Sequence, residues 1–380
     1  MSGNFKKAGF LFNHAAAHQV LHAAPIAFEL SRQYPDTEVT IITSSDEIEN
    51  VAREIGDLYP GNRVHFKRAY IPKIIKMLQP LVHNIAFIKK DAVRICNRDF
   101  FKTLDVLVTP EANSLKLKNH PDLSHLKIIH TRHGAGDRSV GYHQRNKNFD
   151  LVLCPGAKIR DRMKQDLEMR DEQLAVTGYP KFEVIDRLKP PKDFFENAKP
   201  IVLYNPHFSR KESSWRTHGI DVLEFFKNQS NFNLIFAPHI LLYKRGLRHG
   251  AKSLRRYRNL PHIHIDTGSK ASINMTYTSL ADIYLGDVSS QVYEFVRNPG
   301  PCIFIDNGAD PNPDNRLYHA MGDVIQDISE LPRTLENAFS KHDEEYREKQ
   351  KELFRQTFDE NGTDPSIRGA RAIKDFLDKL

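Results

Sequence analysis

Along this 380-residue chain, short apolar runs alternate with stretches in which apolar positions recur every three or four residues. Runs this short, rich in Val, Ile, Leu and Phe, read as strands buried on both faces, and the stretches between them read as helices. A first series comprises Ala8–Phe12, Val39–Thr43, Val64–Phe66, Val106–Thr109, Lys127–Thr131, Leu151–Cys154 and Leu174–Thr177. A second comprises Ile201–Tyr204, Leu234–Ala237, Ile263–Asp266, Ile283–Gly286 and Cys302–Ile305. Strands alternating with helices predict an α/β fold with parallel sheets covered on both faces. In such sheets ligands bind beyond the carboxyl ends of the strands.

Between the two series, Lys189-Pro190-Pro191-Lys192 and Lys199-Pro200 break regular structure. The pattern therefore predicts a Rossmann-like N-terminal domain at 1–182, a linker at 183–199, a Rossmann-like C-terminal domain at 200–360 and a closing helix at 361–380. In that last segment Ile367, Ala370, Ile373, Phe376 and Leu377 share one helical face. Two doubly wound parallel-sheet domains joined this way are expected to face one another across a cleft, a favoured place for ligands.

Composition narrows the class. Hydrophobic residues make up 40% and charged residues 27%, which is globular. No apolar run approaches the roughly 20 residues that span a bilayer. The opening run Ala8–Phe12 is too short for a signal-peptide core, so a cytoplasmic protein is expected. Cys96, Cys154 and Cys302 are scattered and read as buried free thiols, without a disulfide framework or a zinc site. The net charge of +7 suits phosphorylated substrates or anionic lipid. Nucleic acid shares that sign, but the chain shows no RNA-binding aromatic motif and no zinc finger, so no nucleic-acid partner is expected.

The strongest chemical signal is Ala281-Asp282-Ile283-Tyr284-Leu285-Gly286-Asp287-Val288-Ser289-Ser290-Gln291-Val292-Tyr293-Glu294, which reads as strand, tight turn and helix. Ser289 and Ser290 fall where that helix begins. Its first N–H groups lack intrahelical partners and attract phosphate, although a serine there also serves as an ordinary cap. In the first series, Arg132-His133-Gly134-Ala135-Gly136-Asp137-Arg138 follows a strand. An imidazole at a strand's carboxyl end suits removal of a proton from an acceptor hydroxyl. His239 closes Leu234-Ile235-Phe236-Ala237-Pro238 in the second series. It reads either as a donor to phosphate or leaving group, or as a structural histidine. Tyr204-Asn205-Pro206-His207 ends another strand and opens a polar loop on the donor side.

These residues resemble the CDP-glycerol glycerophosphotransferase family, which includes wall teichoic acid primases and polymerases. The similarity in order and spacing runs over roughly 125 to 345. It rests on Arg132-His133-Gly134, Gly178-Tyr179-Pro180, Tyr204-Asn205-Pro206, His239, Ala281-Asp282, Asp287-Val288-Ser289-Ser290 and Pro301-Cys302-Ile303-Phe304. The resemblance implies a GT-B fold, a CDP-alcohol donor, His133 as base, and His239 with Ser289 and Ser290 holding the diphosphate. The wider donor set expected beside these is Asp287, Gly134, Arg132, Asn205, His207 and Glu294, with no metal and no cofactor. The chain departs from the family pattern in Pro238-His239-Ile240, where the family has His-Pro, in Val288, where it has tyrosine, and in Glu294. The expectation is a transferase that moves a glycerophosphate-type group from a CDP-alcohol to an acceptor hydroxyl in cell-surface polymer synthesis. The alternatives are a GT-B glycosyltransferase using a UDP- or CMP-sugar, or an enzyme like the UDP-sugar 2-epimerases.

Two further segments bear on partners. His14, His18 and His22 lie four apart, a spacing that shares one face of an α-helix and reads as a metal group or a ligand-lining loop. The basic, apolar segment at 71–90 is interrupted by Pro80. It reads as a peripheral contact with the inner face of the cell membrane and a lipid-linked or polymeric acceptor, or as a core helix with solvated lysines.

Overall fold

The computed structural model of the chain describes residues 5–13, 17–77, 85–132, 134, 139–190, 193–209, 211–244, 248–287, 289–306, 308 and 313–380. The apolar runs form strands because every position can be covered from above and below. Val106–Thr109, Leu151–Cys154 and Cys302–Ile305 are buried at each residue. The helices between them bury one stripe. In Asp46–Gly56, the Ser45 hydroxyl accepts from the Ile48 N–H at 3.3 Å, acidic residues fill the first turn, and Ile48, Val51, Ala52 and Ile55 face inward.

Two compact units result, one made of 1–134, 142–188 and 356–380, the other of 135–141 and 189–355. The first unit holds strands β1 (Lys6–Phe12), β2 (Thr37–Thr43), β3 (His65–Arg68), β4 (Val106–Thr109), β5 (Lys127–Thr131), β6 (Leu151–Cys154) and β7 (Leu174–Val176). All pair in parallel, in the order β3-β2-β1-β4-β5-β6-β7. The second unit holds β8 (Ile201–Asn205), β9 (Asn233–Phe236), β10 (Ile263–Ile265), β11 (Ile283–Gly286), β12 (Cys302–Ile305) and β13 (Asp323–Ile325). These too are parallel, in the order β10-β9-β8-β11-β12-β13. In each sheet the strand order reverses once, between β1 and β4 and between β8 and β11. Those reversals are the topological switch points at which doubly wound sheets bind ligands. The edge strand β13 has no counterpart in the sequence pattern: Val324 is exposed and Ile325 alone is buried, so no apolar run marks it.

The first unit is closed by the end of the chain. The helix Pro365–Leu377 packs on the helix Ala24–Gln33, where a Cβ on Gly369 would fall 2.7 Å from Ile26 Cδ1. A polar clasp fixes the same helix. Buried Glu183 accepts from the Ser366 N–H at 3.1 Å and its hydroxyl at 2.8 Å, and Arg187 joins Glu183 at 2.8 Å to Asp364 at 3.0 Å. Burial pushes the Glu183 carboxyl up despite these partners. Gly369→Val should lower stability by about 1–3 kcal/mol through overpacking against Ile26; a thermal melt with an unchanged midpoint would show that the two helices do not meet there.

Two expectations are corrected. Cys154 and Cys302 are buried, but Cys96 is exposed. It is the last residue of the helix Ile85–Cys96, and Asn97 takes the inward position, its amide donating to the Val93 carbonyl at 2.8 Å. His18 and His22 lie on a 3-10 turn, Ala17–His22, whose residues four apart do not align as on an α-helix. His14 lies outside the described residues. Among the described residues no group of three or more His, Cys, Asp or Glu is placed to hold a metal ion.

Candidate functional site

In the second unit the switch point is built from three strand ends. Asn205 ends β8 directly opposite Gly286 at the end of β11. Its amide nitrogen donates to the Ala237 carbonyl beyond β9 at 2.6 Å, and its Oδ1 accepts from the Ser289 hydroxyl at 3.1 Å and the Tyr284 hydroxyl at 3.3 Å. Gly286 is required by this arrangement, because a Cβ there would stand 2.9 Å from the Tyr284 ring. One buried amide therefore ties β8, β9 and β11 at the edge where ligands enter sheets of this type.

Asp287 does the same for the loop after β8. Its Oδ1 accepts from the His207 N–H at 2.7 Å, and its Oδ2 accepts from the Ser214 N–H at 2.6 Å and the Ser214 hydroxyl at 2.8 Å. Tyr204 lies 3.1 Å from that hydroxyl, extending the network to the sheet. Asp287 is fully buried, and burial pushes its carboxyl up to about 6, against the lowering by the Ser214 hydrogen bonds and by the nearby His207. Both ends of the 207–214 loop thus hang on one carboxyl group.

His207 and His239, the two candidate histidines of this unit, come together. Their ring centroids are 5.4 Å apart, and the Phe208 ring lies 4.5 Å from each. The His239 N–H donates to the Pro206 carbonyl at 3.0 Å, continuing the β8–β9 pairing past the strands. His239 Nδ1 accepts from the Leu241 N–H at 3.2 Å, so a neutral ring carries its proton on Nε2. His207 Nδ1 lies 3.1 Å from Glu212 Oε2.

Ser289 and Ser290 differ. The Ser289 hydroxyl is largely buried; besides donating to Asn205 it accepts from the Gln291 N–H at 3.2 Å. Ser290 is exposed and makes no side-chain cap. The helix they open, Gln291–Phe295, has five residues, and Glu294 is buried within it. A helix of little more than one turn offers its first N–H groups but only a small dipole. Val288 lies outside the described residues.

In the first unit Arg132 follows β5, with its guanidinium 4.7 Å from the Tyr142 ring, and Gly134 is partly exposed. His133 lies outside the described residues. The switch point of this unit carries polar groups the sequence did not single out. The Asn13 amide after β1 donates to the Lys90 carbonyl at 3.1 Å, and Lys90 Nζ lies 2.5 Å from Glu111 Oε1, just past β4. Burial raises the Glu111 carboxyl even beside Lys90. A carboxylate directly after a strand's carboxyl end, in Thr109-Pro110-Glu111, was the available signal.

Two all-parallel, doubly wound sheets, each with polar side chains gathered at its switch point, are the GT-B architecture. Solved structures with this fold span nearly the whole chain. A variant of the wall teichoic acid polymerase TagF, in a structure described as TagF with CDPG, is 15% identical, with a TM-score of 0.63 over 99% of this chain and 90% of that one. The S. aureus MnaA–UDP co-structure is 11% identical, with a TM-score of 0.65 over 99% and 98%. A putative UDP-N-acetylglucosamine 2-epimerase from Listeria monocytogenes is 13% identical, with a TM-score of 0.62 over 99% and 97%. No family model matches the sequence. No curated protein matches it either.

Proposed function

We propose that the chain is a transferase that moves a glycerophosphate-type (alditol phosphate) group from a CDP-alcohol to an acceptor hydroxyl in cell-surface polymer synthesis. The observation that carries the reading is the joining of Asn205, Asp287 and Ser289 across the ends of β8 and β11, where a sheet of this order takes a nucleotide. The likeness to TagF with CDPG supports a CDP-linked donor. In the proposed reaction His133 removes the acceptor proton, the acceptor oxygen bonds to the distal phosphorus, the P–O bond to CMP breaks, and His239 Nε2–H donates to the leaving phosphate. Exposed Ser290 meets the diphosphate more readily than the Ser289 hydroxyl, which is engaged inside the protein. Arg132, Gly134, Asn205, His207, Asp287 and Glu294 complete the donor set.

The acceptor is proposed to be lipid-linked or polymeric, met at the inner face of the cell membrane through 71–90. Ile74 and Ile88 are exposed, as are Tyr70 and Ile95 beside that segment. Such apolar side chains among lysines suit a membrane interface. Residues 78–84 lie outside the described residues, and no helix among the described residues is long and apolar enough to cross a membrane.

A second reading, a UDP-sugar enzyme of the epimerase kind, is favoured by the likeness to MnaA with UDP, which extends over 98% of that chain. A thermal-shift screen separates the two. A ligand at a hundred times its Kd stabilises the folded state by about 2.7 kcal/mol. CDP-glycerol or CDP-ribitol should raise the midpoint while UDP-sugars and CMP-sugars leave it in place; a rise with a UDP-sugar alone would replace the first reading by the second.

A further inference from the structure

We propose that His207 and Glu212 form a proton-linked clamp on the nucleotide: an arriving diphosphate draws a proton from solvent onto His207, and Glu212 accepts the resulting Nδ1–H. The inference rests on the second unit being the donor site and names the groups that adjust to the donor's charge.

It starts from a conflict at one atom. The Ser209 N–H points at His207 Nδ1 from 3.2 Å, and Glu212 Oε2 stands 3.1 Å from the same nitrogen. The N–H needs a lone pair there and the carboxylate needs a proton, so one protonation state cannot satisfy both. A neutral ring with its proton on Nε2 serves Ser209. A ring protonated at both nitrogens serves Glu212 and turns Nε2–H into a charged donor, the better partner for phosphate. Because the His207 and Glu212 side chains are only 5% and 9% exposed, solvent does little to blunt the choice.

The surroundings hold this pair in place. The His207 N–H is fixed on Asp287, and the loop that brings Glu212 back is drawn in by Ser214 on the same carboxyl group. Inside the loop the Ser213 N–H donates to the Ser209 carbonyl at 3.0 Å and the Glu212 N–H to the same oxygen at 3.3 Å. Glu212 from its own loop, Asp287 from the end of β11 and His239 from the end of β9 are titratable groups that lie against His207. A phosphate arriving beside Nε2 adds negative charge that the doubly protonated ring can meet with a charge-assisted hydrogen bond. At His239, Nδ1 takes the Leu241 N–H, which suits the neutral ring.

The test is calorimetric titration of the full chain with CDP at about pH 7.5, repeated in buffers of different protonation enthalpy, so that the difference gives protons taken up per nucleotide. A substantial fraction of a proton should be taken up by the unaltered chain. Uptake should fall to near zero in Glu212→Gln and His207→Gln, with CDP bound about tenfold to a hundredfold more weakly by His207→Gln. Glu212→Asp, which restores a carboxylate, should recover part of the uptake. Binding of CDP with uptake unchanged in Glu212→Gln, or lost in His239→Gln instead, would overturn the clamp and leave the donor site standing. A chain that binds neither CDP nor UDP overturns the donor site itself, and the clamp with it.

Discussion

His133→Ala is expected to lower turnover by about a hundredfold to ten-thousandfold while CDP binding stays unchanged. In the sequence His133 follows Arg132, two residues after β5 ends at Thr131. An acceptor hydroxyl is a weak nucleophile until its proton is taken, and an imidazole with an ordinary pKa near neutrality suits that task. The proposed nucleotide contacts come mainly from the second unit, so removing this imidazole should act on turnover with little effect on affinity for CDP. CMP release with acceptor present, measured beside CDP affinity, checks the assignment. Full turnover in the variant rules out His133 as base, and loss of CDP binding in a folded variant moves it into the donor site.

Asp287→Ala is expected to destabilise the protein by about 3–5 kcal/mol, because it strands buried donors that share one acceptor group. The His207 N–H, the Ser214 N–H and the Ser214 hydroxyl all lose their partner. The loss should depend on pH. Burial raises the Asp287 carboxyl from 3.8 to about 6 in the folded state, so folding favours the protonated form. The contribution of this protonation is full below pH about 4 and is lost as pH rises through about 6, declining by roughly 1.4 kcal/mol for each pH step of one between those values. Urea denaturation at pH 4.5 and pH 7 should therefore find the larger penalty for Asp287→Ala at the lower pH. A penalty that grows toward neutral pH would mean that Asp287 is stabilised as the anion.

The fold was legible because parallel strands buried on both faces leave uninterrupted apolar runs, as in Leu151–Cys154 and Cys302–Ile305. Boundaries shifted where composition is mixed: β3 begins at His65, not Val64, and carries no fully buried residue. The grouping of Asn205, His207, His239, Asp287 and Ser289 was legible, because all lie at or just past strand ends. Their division of labour was not. Ser289 looks from the sequence like a phosphate donor, yet its hydroxyl is spent on Asn205 and on the turn that opens the helix. Glu212 sits in Ser209-Arg210-Lys211-Glu212-Ser213-Ser214, part of the polar loop read on the donor side, where nothing in the sequence singles it out. Its side chain is buried because Asp287, distant in sequence, pulls Ser214 inward. Lys90 and Glu111 were hidden for the same reason: each is an ordinary charged residue until the fold of the first unit pairs them.

The central claim is that a nucleoside diphosphate sits at the carboxyl ends of β8 and β11, and a crystal structure of the chain with CDP tests it most directly. Density for the two phosphates should lie beside Ser290 and the His207 ring, with the Asn205 and Asp287 contacts unchanged. Phosphates found only at the ends of β1 and β4, or on the opposite edge of the second sheet, would contradict it.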